Sequence, residues 1–390
     1  MADLVVGHTT PDSTRIWIRG DERYRWARVS LSADGEHRVA SEPLKLLGED
    51  DFTAVAPFTN LREETRYRVT ARFASSLRGL EQDRSDQNAR EGRLRTFPPP
   101  DAKASFSFLH GSCNLSIVSL TNLGSLALGA LGTVTATESL KRKAHGSRRW
   151  KIALWMGDGL VSIIYRGLLL LQVVSFPFRW LRARLSKQSP PRWPKRSHKP
   201  SLVYGVFLIV YKLTGFKQKA PLLPNPYKKL NDVLQNGPSN GVDKDLPKEP
   251  PPEFMIHAGD QIYFDFPFPQ QAPTDAAYRL AYKEAWFEDE QLRRFLSQCP
   301  QYMALDDHEI VDGFSTDGYV PKGRDPYEYL EPATQAYSEY VNSRHPTADD
   351  SLFYSFDYGT TRFFVMDTRT QRSDHSGEMI DPKQMCRFKE

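Results

Sequence analysis

The stretch Phe254-Met-Ile-His-Ala-Gly-Asp-Gln-Ile-Tyr-Phe-Asp265 decides the fold. Residues 254–258 are largely apolar and read as a buried strand. Gly259 permits a sharp turn and leaves Asp260 at the strand's carboxyl end. Ligands of open α/β sheets collect at that edge. A phenol three residues on, Tyr263, and a second carboxylate, Asp265, make the turn a candidate hard-metal site. The plain alternative is an Asp260 that only caps the turn. Three further runs repeat the pattern. Residues 106–113 end in a small turn and a thiol, Cys113; residues 302–309 end in Asp306-Asp307-His308-Glu309; residues 362–369 deliver Asp367. Four short apolar strands with polar carboxyl ends predict a layered α/β hydrolase whose site lies along one sheet edge.

In this order, Gly111-Ser112-Cys113, Gly259-Asp260-Gln261-Ile262-Tyr263, Asp306-Asp307-His308-Glu309 and Asp367-Thr368-Arg369 resemble the PhoD-type alkaline phosphatases (alkaline phosphatase D, PhoD-like phosphatases), a branch of the metallophosphoesterases. The resemblance covers residues 1–113 and 254–390. It implies an immunoglobulin/fibronectin-like β-sandwich over 1–98 and a four-layer α/β/β/α metallophosphoesterase-like catalytic domain over 104–390. It also implies the chemistry: metal-dependent phosphoester hydrolysis, in which a metal-bound hydroxide attacks phosphorus. Asp260 would bridge two ions, with Cys113 and Tyr263 on Fe(3+) and Asp307 and Asp312 on Ca(2+). A thiolate and a phenol suit a transition metal and carboxylates suit calcium, though other divalent metals remain compatible. His308 would contact the phosphate and donate a proton. Asp367 and Arg369 would order the site. Val311-Asp312-Gly313 stand where the family usually has Asn, which keeps an oxygen donor and adds charge. The family's later His-containing motifs would lie beyond residue 390, so the resemblance implies a truncated catalytic domain, interrupted by a long insertion at 114–253.

Residues 1–98 read as all-β. Arg66-Tyr-Arg-Val-Thr-Ala-Arg-Phe73 alternates, with Tyr67, Val69, Ala71 and Phe73 inward and Arg66, Arg68 and Arg72 outward. Ile16 and Ile18 share a face in the same way, and a structural role without chemistry is expected of this module. Pro98-Pro-Pro100 is a stiff, donor-free linker. Further on, Pro273-Thr-Asp opens a helix with Tyr278, Tyr282 and Ala285 on one face. A helix is predicted over 331–341, and two strands over 353–359 and 362–366 with a tight turn at Gly359-Thr360. His110 reads as a core residue or one supporting the ligands, and Cys299 as a core residue.

The length of 390 residues leaves room for two or three domains. A net charge of +4 is too small to imply nucleic acid. The three cysteines form no disulfide framework and no CxxC zinc site. The first residues lack a basic and apolar leader, so an intracellular chain is expected. The insertion is basic over 141–149 and apolar over 152–178, with Asp158 and Arg166 inside that run. The strands on either side of it belong to one sheet, so it crosses a membrane twice or not at all. Interfacial docking is the favoured reading: residues 140–216 would meet an anionic membrane, with Trp150, Trp155, Arg179 and Trp180 among the contacts. A soluble helical lid is the alternative. The rival to an enzyme is a non-catalytic, membrane-associated interaction protein built on an incomplete phosphatase domain.

Overall fold

The computed structural model describes residues 2–33, 37–82, 88–114, 226–237, 250–265, 272–318, 324–346 and 351–389. Met1–Ser116 and Pro224–Glu390 form one compact unit; residues 117–223 lie outside the described residues. The expected membrane contacts Trp150, Trp155, Arg179 and Trp180, and the whole stretch 140–216, also lie outside them. Among the described residues no helix is long and apolar enough to cross a membrane.

The N-terminal region consists of β1 (Asp3–Thr9), β2 (Thr14–Arg19), β3 (Trp26–Ala33), β4 (His37–Ala40), β5 (Leu44–Lys45), β6 (Thr53–Phe58), β7 (Arg66–Ala74), α1 (Leu77–Gln82) and β8 (Ala89–Arg95). Two antiparallel sheets result, β1-β2-β6 and β4-β3-β7-β8, with β5 on β3. The alternation in β7 is realised: Tyr67, Val69, Ala71 and Phe73 are buried, while Arg66 and Arg68 are exposed. Leu4, Val6, Ile16 and Ile18 of the first sheet meet Ala27, Val29, Leu31 and the β7 row of the second in one core.

The first sheet is buried on its other face as well. Val5 and Trp17 join the core of the C-terminal region. Trp17 stacks on Phe287, meets Trp286 and Tyr340, and donates from Nε1 to the Glu339 carbonyl at 2.7 Å. Gly7 allows the close approach: a Cβ there would stand 2.7 Å from Arg344 Cβ. Phe97, directly before the three prolines, is fully buried against Phe254 and Tyr358.

The C-terminal region contains β9 (Leu109–Gly111), α2 (Pro226–Asn236), β10 (Met255–His257), α3 (Asp275–Phe287), α4 (Glu290–Leu296), β11 (Gln301–Met303), α5 (Tyr327–Tyr340), β12 (Tyr354–Tyr358), β13 (Thr361–Val365) and α6 (Pro382–Lys389). β10 lies between β9 and β11, parallel to both. Parallel strands need crossover connections, so their carboxyl ends gather on one edge. Helix α3 begins at Thr274, whose side chain accepts from the Ala277 N–H, and buries Tyr278, Tyr282 and Trp286 along one stripe. Asp289 caps α4 in the same manner.

The fourth predicted run differs from the other three. β13 pairs with β12 as a hairpin turning at Gly359-Thr360 and is not a member of the parallel sheet. Aromatic contact replaces strand pairing: Phe356 stacks on Tyr302 at 3.6 Å between centroids, and Phe363 stacks on Phe356. The hairpin thus layers against β10 and β11 through Phe254, Tyr302, Tyr354, Phe356 and Tyr358. Cys299 is buried as expected, but His110, on the edge strand β9, is exposed.

Candidate metal centre

Three loops leave the carboxyl ends of β9, β10 and β11 and continue to pair. Ala258 N–H donates to the Gly111 carbonyl at 2.8 Å, Cys113 N–H to Gly259 at 3.2 Å, Asn114 N–H to Asp260 at 2.7 Å, and Ala304 N–H to His257 at 2.8 Å. Cys113, Asp260 and Asp306 are thereby brought to one edge. Gly259 has φ +96°, and a Cβ there would lie 2.3 Å from Asp306 Cβ. Only glycine lets the second and third loops come this close. Asp260 and Cys113 also take left-handed backbone, at φ 57° and 59°. Such conformations cost roughly 1–3 kcal/mol in a residue with a side chain and concentrate at functional sites.

The side chains converge. Ligand atoms of Asp260, Asp307 and His308 all lie within 4.8 Å of one another. Cys113 Sγ donates to Asp260 Oδ2 at 3.3 Å, and the Tyr263 hydroxyl donates to the same oxygen at 3.4 Å. Asp260 is buried, and its Oδ1 has no hydrogen-bond partner. Burial raises the Asp260 pKa against the Cys113 hydrogen bond and the His308 charge; Asp306 and Asp307 add to the rise. Burial, with Cys113 and Asp260 adding to it, likewise raises the Tyr263 phenol above its ordinary value.

Asp312 is not brought in. Its side chain is exposed and outside the three-residue group, and its backbone N–H donates to Asp265 Oδ2 at 2.6 Å. Asp265, read from sequence as a metal donor, holds the site in another way: its Oδ1 lies 2.7 Å from His308 Nδ1. Burial lowers the His308 pKa, but the Asp265 hydrogen bond and the charges of Asp265, Asp260 and Asp307 outweigh it, and the imidazole is raised to about 9. Its ring also packs on Tyr263 at 4.3 Å between centroids.

Two supporting residues complete the frame. Glu309 is fully buried and accepts from four backbone N–H groups: Asp260 at 3.0 Å, Gln261, Ile262 at 3.3 Å and Asp306 at 2.8 Å. One carboxylate therefore ties the second loop to the third. Sequence reading gave Glu309 no role of its own; the signal was an acid held four positions beyond the strand residue Leu305 in an otherwise ligand-rich motif. Arg369, arriving after β13, pairs with Asp306 and lies 3.6 Å from Asp307, which matches the ordering role expected of it. Asp367 stays buried and accepts from Arg369 and Thr370 N–H, each at 3.0 Å.

The donor set suits a metal. A buried, partly unpartnered carboxylate beside two further aspartates gathers more negative charge than a protonated His308 and Arg369 balance, oxygen and sulfur donors are within reach, and His308 adds a nitrogen donor when deprotonated.

The model of the family described as PhoD-like phosphatase matches residues 241–387. This segment is PhoD-like. The match includes the Asp260 and Asp306–Glu309 loops and excludes Cys113, which only the fold brings to the PhoD-like segment. The solved structure of PhoD is similar at a TM-score of 0.51 and 15% identity, covering 95% of this chain and 52% of that one. A purple acid phosphatase from yellow lupin (Lupinus luteus) seeds is similar at a TM-score of 0.43 and 10% identity, covering 96% of this chain and 46% of that one. The chain thus spans about half the length of the PhoD structure, with which it shares the fold. No curated protein matches it.

Proposed function

We propose that the chain carries the metal centre of a metal-dependent phosphoester hydrolase of the PhoD-like kind. The observation that supports this most is the convergence of Asp260, Asp307 and His308, with Cys113 and Tyr263 on the Asp260 carboxylate. Cys113 and Tyr263 would hold Fe(3+), Asp307 would hold Ca(2+), and Asp260 would lie between them. Asp312 would join only if its loop turned its exposed side chain inward. Metal ions bound there supply charge neutralisation for the phosphoryl oxygens and activation of water.

The chain's own residues do the rest. Asp265 fixes His308 through Nδ1 and leaves Nε2 for the substrate. Without bound metal the raised pKa keeps this imidazole protonated at neutral pH, and in that form it would bind a phosphate oxygen and protonate a leaving group. Positive charge placed among Asp260 and Asp307 would draw that pKa down again. Arg369 balances Asp306 and Asp307 and keeps both carboxylates oriented. The N-terminal sheets would be the immunoglobulin/fibronectin-like sandwich of such enzymes, domain 1–98 preceding domain 104–390. Residues 140–216 would dock on an anionic membrane, which the basic and tryptophan-rich composition supports.

Metal content of the purified chain by mass spectrometry tests the centre. Near-stoichiometric iron that falls in Cys113→Ala, and calcium that falls in Asp307→Asn, are expected. Release of nitrophenol from the p-nitrophenyl phosphate monoester and diester tests the reaction. A chain that binds no metal and cleaves neither would overturn the reading in favour of a non-catalytic interaction protein.

A further inference from the structure

The outward face of the second sheet takes no part in the metal centre. Since Tyr67, Val69, Ala71 and Phe73 of β7 and Ala27, Val29 and Leu31 of β3 point inward, the alternate residues point out. The register then sets arginine against arginine. Arg28 stands opposite Arg72, Arg68 opposite Arg93, and Arg66 opposite Arg95; Arg38 extends the Arg68 row across Ser32. Neighbouring strands are about 4.8 Å apart, and like charges placed directly opposite destabilise a sheet.

At the outward positions of these strands opposite charge is scarce among the described residues. Glu91, opposite Thr70, is the one acid at these outward positions among the described residues. Arg95 is balanced by Glu253 at 2.7 Å and Glu64 at 3.0 Å. Arg28, Arg38, Arg66 and Arg68 have no carboxylate partner among the described residues, and the last three are exposed. Arg93 shows the crowding: burial lowers its pKa against the opposing effect of Cys299, and the charges of Arg66 and Arg294 lower it further. Ordinary surfaces intersperse both signs.

We propose that this arginine face docks on an anionic lipid surface, its guanidinium groups meeting headgroup phosphates. Arginine matches phosphate with two parallel N–H donors. The residues spread over four strands and so suit a broad anionic plane. Trp26 is the one outward aromatic on β3, β4, β7 and β8, so there is no ladder for stacking bases. Trp26 is half-buried at one end of the face, a placement that suits the headgroup level. The inference does not rest on the hydrolase reading.

Co-sedimentation of the full chain with phosphatidylcholine vesicles, with and without phosphatidylserine, tests it. Binding is expected only with phosphatidylserine. Near a charged surface each arginine contributes about fivefold in affinity, so the triple variant Arg38→Glu, Arg66→Glu, Arg68→Glu should lose on the order of 100-fold or more. The corresponding Lys variant keeps the charge and should retain most of the binding; it also serves if the Glu variant melts early. Reversing Lys141, Arg142 and Lys143 in the insertion separates the two basic regions. The proposal is overturned if the face variant binds like the parent while the insertion variant does not. Equal binding to uncharged vesicles also overturns it. So does a face variant that weakens binding to a duplex or single-stranded oligonucleotide and leaves vesicle binding intact.

Discussion

β7 runs nine residues, Arg66–Ala74, and buries every second side chain; β10 runs three, Met255–His257, and ends in a turn. The first belongs to a region built from antiparallel neighbours, where alternation and packing say nearly everything. The second belongs to a parallel sheet whose partners come from residues 109–111 and 301–303, far apart along the chain. The long strands spend their side chains on a core, while the short ones serve to aim three loops. The candidate metal centre sits where the regular structure stops, held by backbone contacts that side-chain patterning does not reveal.

That contrast can be broken at its strongest joint. Trp17 lies in the N-terminal sheet yet packs into the C-terminal core. Trp17→Ala should cost about 4 kcal/mol, the scale of a large aromatic removed from a core. Urea denaturation should show one transition moving as a whole. Two separated transitions would mean that the two regions fold independently.

A smaller loss is expected from Gly259→Ala, about 3 kcal/mol from the clash with Asp306 and the positive φ together. Unlike the Trp17 variant, it should displace the Asp260 loop, so metal content should fall at temperatures where the fold persists. Unchanged metal binding would show that the loop does not depend on this close approach.

Glu309→Ala leaves four backbone N–H groups of two loops without their acceptor. A cost of about 2 kcal/mol is expected, moderated where water enters. Faster amide hydrogen exchange should be confined to residues 260–262 and 306; uniform acceleration across the sheet would argue against a local clamp.

The smallest effect is one of pH. His257 ends β10, and burial, with His110 nearby, lowers its pKa to about 4 against a backbone hydrogen bond. A folded value below the unfolded one, near 6.5, means its stabilising contribution is complete above about 6.5 and is lost as pH falls toward 4. The cost should reach about 1.4 kcal/mol near pH 5.5. Proton resonances of the His257 ring should show it neutral down to about pH 4. A midpoint near 6.5 would place the ring in water.

Much of the candidate site was legible because strand ends carried unusual residues. Cys113, Asp260, Tyr263, Asp307 and His308 were all named from motifs, and the structure brings them to one edge. Asp265 and Asp312 make other contacts in the structure for a common reason. Residue type identified both as oxygen donors, but the turn after His308 directs the Asp312 N–H to Asp265, and Asp265 is then occupied with His308. His110, read as a core or supporting residue, is exposed, because apolar neighbours in the sequence do not say which side of a short strand is covered.

By itself the sequence determined the local elements. Alternation made β7 a strand with one buried face, Thr274 opened α3, and Gly359-Thr360 turned the last hairpin, because these signals act over a few residues. Tertiary structure decided the rest: that Trp17 belongs to the C-terminal core, that β13 stacks on the parallel sheet without pairing with it, and that arginines stand opposite one another on an outer face. Each of these depends on which segments meet across long separations, and pairing and packing choose those neighbours only when the whole chain has folded.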